Sequence, residues 1–186
     1  MNPQSKSRGN VLIGLGANRS GPWGTPRQTL HRALQELEQR GIMVTAASHL
    51  YETAALGAAR QPSYLNQVAL ITTSLPAPAL LRTLKQIEAR AGRRGGSPWG
   101  PRTLDLDIVD YKGLVINWSR GRNVITYGRV RPLALPHPQI EHRPFVLKPL
   151  LDVAPYWRHP VLKLSACELL SRLPSRGQGS VLKMVS

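Results

Sequence analysis

Hydrophobic and polar positions along this chain follow two periods, and the changeovers between them mark its elements. After about nine polar residues, VLIGL (11–15) is apolar throughout and closes on Gly16, the pattern of a buried strand. Residues 19–25 are rich in Gly, Ser and Pro and read as loop. Thr25-Pro26 then reads as an N-cap followed by proline at the first helical position, and Leu30, Ala33, Leu34 and Leu37 keep helical spacing until Gly41. Residues 42–53 are β-prone. A Gly/Ala loop at 54–60 leads to residues 64–74, the strongest strand pattern in the chain. Pro78 opens a second helix with Leu80, Leu84, Ile87 and Ala91 on one face, stopped by Gly92. A Gly-rich basic loop at 92–98 precedes TLDLDIVDY (103–111), which alternates as a strand does. Residues 117–132 are polar and basic with little periodicity, and read as an insertion or long loop. Short helices are expected at about 145–151 and 164–172, and the last dozen residues read as frayed.

The order β-α-β-β-α-β is the split pattern of a ferredoxin-like α+β fold, here with additional C-terminal elements. No internal repeat or clean linker interrupts it, so a single domain is expected over residues 1–186, its core at about 10–173. Charge adds a direction: 25 Lys and Arg against 10 Asp and Glu give +15, which points to an anionic partner, either nucleic acid or a small phosphorylated molecule. Cys167 is the only cysteine, which excludes an internal disulfide and a Cys-rich zinc module. The first apolar run is too short for a signal segment and no stretch approaches about 18 apolar residues, so a cytoplasmic protein without membrane association is expected.

With so few acids, their placement is informative. Asp105 and Asp107 lie two apart on a strand and share a face, while Leu104, Leu106 and Ile108 turn to the core. Two adjacent carboxylates suit a hard cation such as Mg²⁺. Spacing alone equally admits exposed carboxylates neutralised by Arg102. Arg93 and Arg94 in the loop and Arg102 before the strand offer planar guanidinium groups for phosphate oxygens, a combination fitting phosphoryl transfer better than nucleic-acid binding. Conventional signatures are missing: GLGANR (14–19) fails G-x-G-x-x-G at Arg19, no P-loop occurs, and His137-x-x-x-Glu141-His142 misses zinc-protease spacing.

WGPRTLDLDI (99–108) resembles the signature of the 6-hydroxymethyl-7,8-dihydropterin pyrophosphokinases, the diphosphokinases of folate biosynthesis. GLGANR (14–19), HLYET…LG…QPSYLNQV (49–68), IEARAGRR (87–94) and LALPHPQIEHRPFVLKPLLDVAP (133–155) resemble other blocks of that family in the same order. The resemblance spans about residues 11–160 and implies the same α+β fold. It implies transfer of pyrophosphate from ATP to the pterin hydroxymethyl group, releasing AMP. By the same resemblance, Asp105 and Asp107 hold two Mg²⁺ ions, and Arg93 and Arg102 clamp the phosphates as catalytic groups. Thr53, Leu56, Tyr64 and Asn66 line the pterin pocket, with Trp99 and Phe145 on the ring's faces. Glu88, Ile108, Leu133, His137 and Arg143 serve ATP. A monomer is expected, with ATP and hydroxymethyl-dihydropterin as its partners and no nucleic acid.

Some positions depart from the family pattern. Ala54-Ala55 stand where a proline usually follows the threonine, Arg60 stands where an acid often precedes Gln-Pro, and Ser97-Pro98 occupy a place where a base is common. Residues 117–132 exceed the usual connection and bring Arg120, Arg122, Arg129 and Arg131. Two alternatives stay open at this level: a diverged paralogue acting on a modified pterin, and a basic ferredoxin-like RNA-binding module. An RNA-recognition sheet needs aromatics on its central strands, and aromatics are 5% of this chain.

Overall fold

The computed structural model describes residues 10–55, 61–93, 101–119, 132–174 and 179–185. Its elements run β1 (Val11–Ala17), α1 (Pro26–Glu38), β2 (Met43–Ala47), β3 (Leu50–Thr53) and β4 (Tyr64–Thr72). Then come α2 (Ala77–Arg90), β5 (Asp105–Tyr111), a 3-10 turn at Ile140–His142, α3 (Pro144–Val153), α4 (Ala166–Ser171) and β6 (Val181–Val185). Thr25 caps α1 as its sequence predicts: its hydroxyl accepts from the Gln28 N–H, and the Gln28 side chain accepts from the Thr25 N–H at 2.9 Å. The β-prone stretch 42–53 is two strands, parted at Ser48-His49.

All pairings are antiparallel, in the order β5-β1-β4-β3-β6, with β2 beside β3 along the same edge of β4. This is the ferredoxin-like arrangement, enlarged at one edge. One expectation is corrected here: the end of the chain is not frayed over residues 179–185, because β6 pairs with β3 from Leu50↔Val185 to Thr53↔Val181.

β1 is apolar because α1 and α2 cover one of its faces and α3 and α4 cover the other at Leu12. Val11, Ile13, Leu15 and Ala17 pack with Leu30, Ala33 and Leu37 of α1 and Leu80, Leu84 and Ile87 of α2. Leu12 turns the other way, joining Val68 and Val109 against Val146, Leu147 and Leu150 of α3 and Leu169 of α4. Trp157 follows α3 and donates its indole N–H to Asp110 on β5 at 2.8 Å, fastening this second layer to the sheet. The second layer covers only part of its face. Beyond Leu12 the same face of β1 presents Gly14 and Gly16, where the sheet is left open.

Candidate active site

That open end of the sheet is a cleft of about 650 Å³. Gly16 of β1 lies between Asn66 of β4 on one side and Asp105 of β5 on the other, and Gly14 lies beside Asp107. A Cβ at position 16 would meet the Asn66 Oδ1 at 2.8 Å, so glycine there leaves room for the Asn66 amide to lie across the floor. Thr53, Ala54, Tyr64 and Asn66 form one end of the cleft, and Arg93, Arg102, Asp105 and Asp107 the other. Ile108, Leu133, His137, Arg143 and Phe145 complete the walls. Leu56, Trp99 and the Arg-rich stretch 120–131 lie outside the described residues, as do Arg60 and Ser97-Pro98.

At the pterin end expected from sequence, Asn66 Nδ2 donates to the Thr53 hydroxyl at 2.7 Å, and both residues are buried. The buried amide is satisfied on that side, which sets its orientation. Phe145 is half-buried, packed on the second layer yet facing the cleft, and the Arg143 guanidinium lies 5.6 Å from its ring centroid. Burial pushes the Tyr64 hydroxyl pKa up.

At the other end, the two described ends of the basic loop converge on one carboxylate: Arg93 Nη1 is 2.5 Å from Asp105 Oδ1, and Arg102 Nη1 is 2.7 Å from Oδ2. Asp107 is ringed at longer range by Arg143 Nη1 (3.6 Å), His137 Nε2 (3.8 Å) and Lys85 Nζ (3.9 Å). Burial raises the cost of ionising Asp107, but His137, Lys85 and Arg143 outweigh it and hold the carboxyl well below the usual range. Burial also brings the His137 pKa down to about 4, so this ring is neutral at pH 7 and the Lys and Arg charges do that work there. The Gln139 N–H donates to His137 Nδ1 at 3.2 Å, leaving the ring proton on Nε2, toward Asp107.

Glu88, for which the resemblance implies an ATP-side role, meets the edge of β5 and Lys85. Its carboxylate is buried behind β5 and does not line the cleft. β5 is an edge strand, and the outward backbone of Leu106 is satisfied by α2: Leu106 N–H donates to Glu88 at 2.7 Å, and Lys85 Nζ donates to the Leu106 carbonyl at 3.0 Å. Lys85 also pairs with Glu88 at 2.8 Å, and Arg93 pairs with Glu88 as well as Asp105. Glu88 thus pairs with Lys85 and Arg93, two residues that line the cleft.

Sequence reasoning missed several residues here. Lys85 on a helix reads as a solvated charge, and only the packing of α2 on the β5 edge turns it into the cleft. Asn18 closes the turn after β1, where its Oδ1 accepts the Arg102 N–H at 2.8 Å and its Nδ2 donates to the Pro62 carbonyl at 3.2 Å. Gly14 and Gly16 did carry a signal, two glycines spaced by two within an apolar strand.

Two carboxylates on one strand face, one of them held firmly ionised, fit a hard divalent cation whose remaining ligands come from phosphate or water. Among the described residues no group of three or more His, Cys, Asp and Glu assembles. Among the described residues the uncovered sheet face carries Gly14, Gly16, Asp105 and Asp107 beside Tyr64, and paired carboxylates there would repel an RNA backbone.

Residues 12–155 match the model of the 7,8-dihydro-6-hydroxymethylpterin-pyrophosphokinase family. The chain belongs to this family. It is 39% identical over 151 residues to the 2-amino-4-hydroxy-6-hydroxymethyldihydropteridine pyrophosphokinase of Synechocystis, covering 81% of this chain and 69% of that protein. To the pyrophosphokinase of the same name from Pseudomonas aeruginosa it is 36% identical over 172 residues, covering 88% and 96%. The folic acid synthesis protein fol1 of Pneumocystis carinii is 36% identical over 163 residues, of which the match spans 88% of this chain and 20% of fol1. Membership carries with it the family's pyrophosphokinase reaction on hydroxymethyl-dihydropterin. Among the described residues, no helix is long and apolar enough to cross a membrane.

Proposed function

We propose that this cleft runs that reaction with the pterin at its Thr53–Asn66 end and the ATP phosphates at its Asp105–Asp107 end. The observation that carries the assignment is the register across Gly16. Asn66 and Asp105 sit on the two strands flanking one glycine, so the two ends are about 10 Å apart, two strand spacings. A flat bicycle held by Asn66 and Thr53 brings its hydroxymethyl arm toward the carboxylates within that reach.

Asp105 and Asp107 would hold two Mg²⁺ ions, whose chemistry is to neutralise and orient the triphosphate oxygens. Arg93, Arg102, Arg143 and Lys85 direct donors at the same oxygens and stabilise the charge that develops on transfer. The bond from the pterin hydroxymethyl oxygen to the β-phosphorus forms as the bond from that phosphorus to the α-phosphate bridging oxygen breaks. The hydroxyl proton leaves to solvent, and AMP is the leaving group. Phe145 covers one face of the pterin, while Thr53, Tyr64 and Asn66 read its polar edge. The backbone around Ile108 and Leu133 serves the ATP side of the cleft, with His137 Nε2–H as a donor beside Asp107.

Incubation with ATP, Mg²⁺ and hydroxymethyl-dihydropterin should yield AMP only when the pterin is present, and Asp107→Ala should abolish it. ADP as product, or turnover surviving Asp107→Ala, would overturn the assignment.

A further inference from the structure

β6 lies beyond the family match, which ends at residue 155. It nevertheless reaches the pterin end of the cleft. β3 is four residues long and, without β6, would be the edge of the sheet at this point. A strand that short frays when nothing pairs its outer side. The pairing does not stop at Thr53: Ala54 N–H donates to the Ser180 carbonyl at 2.9 Å, and Gly179 N–H donates to the Ala54 carbonyl at 3.2 Å. Ala54 is a cleft wall residue, and both its backbone groups are held by the C-terminal segment. A proline at position 54 would have no N–H to give.

A second tie runs through side chains. Lys183 Nζ pairs with Glu52 at 3.1 Å, and Glu52 accepts from the Ser63 hydroxyl at 2.6 Å, just ahead of Tyr64. Thr53, fixed between these ties, sets the Asn66 amide by accepting its Nδ2–H. The path from the chain's end to the floor of the cleft is thus β6, Ala54 and Thr53, then Asn66.

We propose that β6 is a positioning strand for pterin recognition: by holding Ala54 between Gly179 and Ser180 it fixes Thr53 and, through it, the Asn66 amide. The inference rests on the assignment of this end of the cleft to the pterin. It predicts a selective effect, because the carboxylate end lies on β5, at the far side of the sheet from β6.

The test compares KM for the pterin with KM for ATP in four proteins: the full chain, a chain ending at Pro174, Gly179→Ala and Gly179→Asn. Gly179 has φ +73°, a conformation that strains alanine but that asparagine tolerates. The shortened chain and Gly179→Ala should raise the pterin KM by about tenfold, the cost of a misplaced hydrogen-bonding wall, with the ATP KM changed by less than about twofold. Gly179→Asn should return most of the loss. An unchanged pterin KM, or pterin and ATP values rising together, overturns the inference alone. If the shortened chain does not fold, the Gly179 pair decides. A full chain that forms no AMP from the pterin overturns the reading of the cleft first, and is seen before any variant is compared.

Discussion

Gly16 owes its identity to Asn66, a side chain two strand spacings from Asp105. Its Cβ position is occupied in effect by Asn66 Oδ1, and its own backbone conformation is ordinary extended strand. Gly16→Ala should cost about 1–2 kcal/mol of folding stability, the disturbed Asn66–Thr53 hydrogen bond being offset in part by alanine's better fit to a strand. It should raise the pterin KM by about tenfold or more by turning the Asn66 amide away. Thermal unfolding together with substrate kinetics separates the two effects, and a large fall in stability would show that the glycine serves packing instead. Asp105 and Asp107 were legible in sequence because a period of two needs no tertiary information. Glu88 was not: a sequence says that a carboxylate is one turn from Gly92, but not that it faces the edge of β5 instead of the cleft. Lys85 was illegible for the converse reason, since its place depends on how α2 lies against that same edge.

The helices that back the sheet meet through one buried acid. Glu36 on α1 is fully buried and is contacted by Arg32 at 3.3 Å, by Arg90 of α2 at 3.2 Å, and by Arg40. Burial pushes its carboxyl up, but the Arg40 hydrogen bond and the charges of Arg90, Arg40 and Arg32 bring it below its ordinary value. A depressed folded pKa means stability that is complete above the ordinary carboxylate range and is lost as pH falls through the folded value. Glu36→Gln should cost about 1–2 kcal/mol at pH 7, the lower figure reflecting the half-exposed Arg32 and Arg90. The difference from the parent should vanish in acid, where both side chains are neutral. Urea unfolding across pH checks this, and a constant difference would assign the loss to shape instead of charge. At this scale most of the fold was readable from caps and periodicity, as at Thr25-Pro26. β6 was not, because VLKMV is short, places Lys between apolar residues, and becomes a strand only where β3 offers an edge.

The net charge of +15 takes a definite form in the whole molecule. Acids are scarce, and three of the ten, Glu88, Asp105 and Asp107, lie in a single network with Lys85, Arg93, Arg102 and Arg143. Four permanent cations against three carboxylates leave the Asp105–Asp107 end of the cleft slightly positive. At the proposed pterin end the described side chains Thr53 and Asn66 are neutral, and the dihydropterin is uncharged near pH 7. The two substrates should therefore respond differently to screening. Raising NaCl from about 0.05 M to about 0.5 M shortens the Debye length from about 14 Å to about 4 Å, enough to remove long-range attraction but not contact pairs. KM for Mg·ATP should rise several-fold over that range, while KM for the pterin should change by less than about twofold. Equal rises would mean that salt acts on the fold or on a shared step, and that the excess charge has no part in gathering the nucleotide. A selective rise would tie the bulk charge of the chain to one end of one cleft. The basic excess would then serve a small phosphorylated substrate, the narrower of the two partners that composition alone allowed.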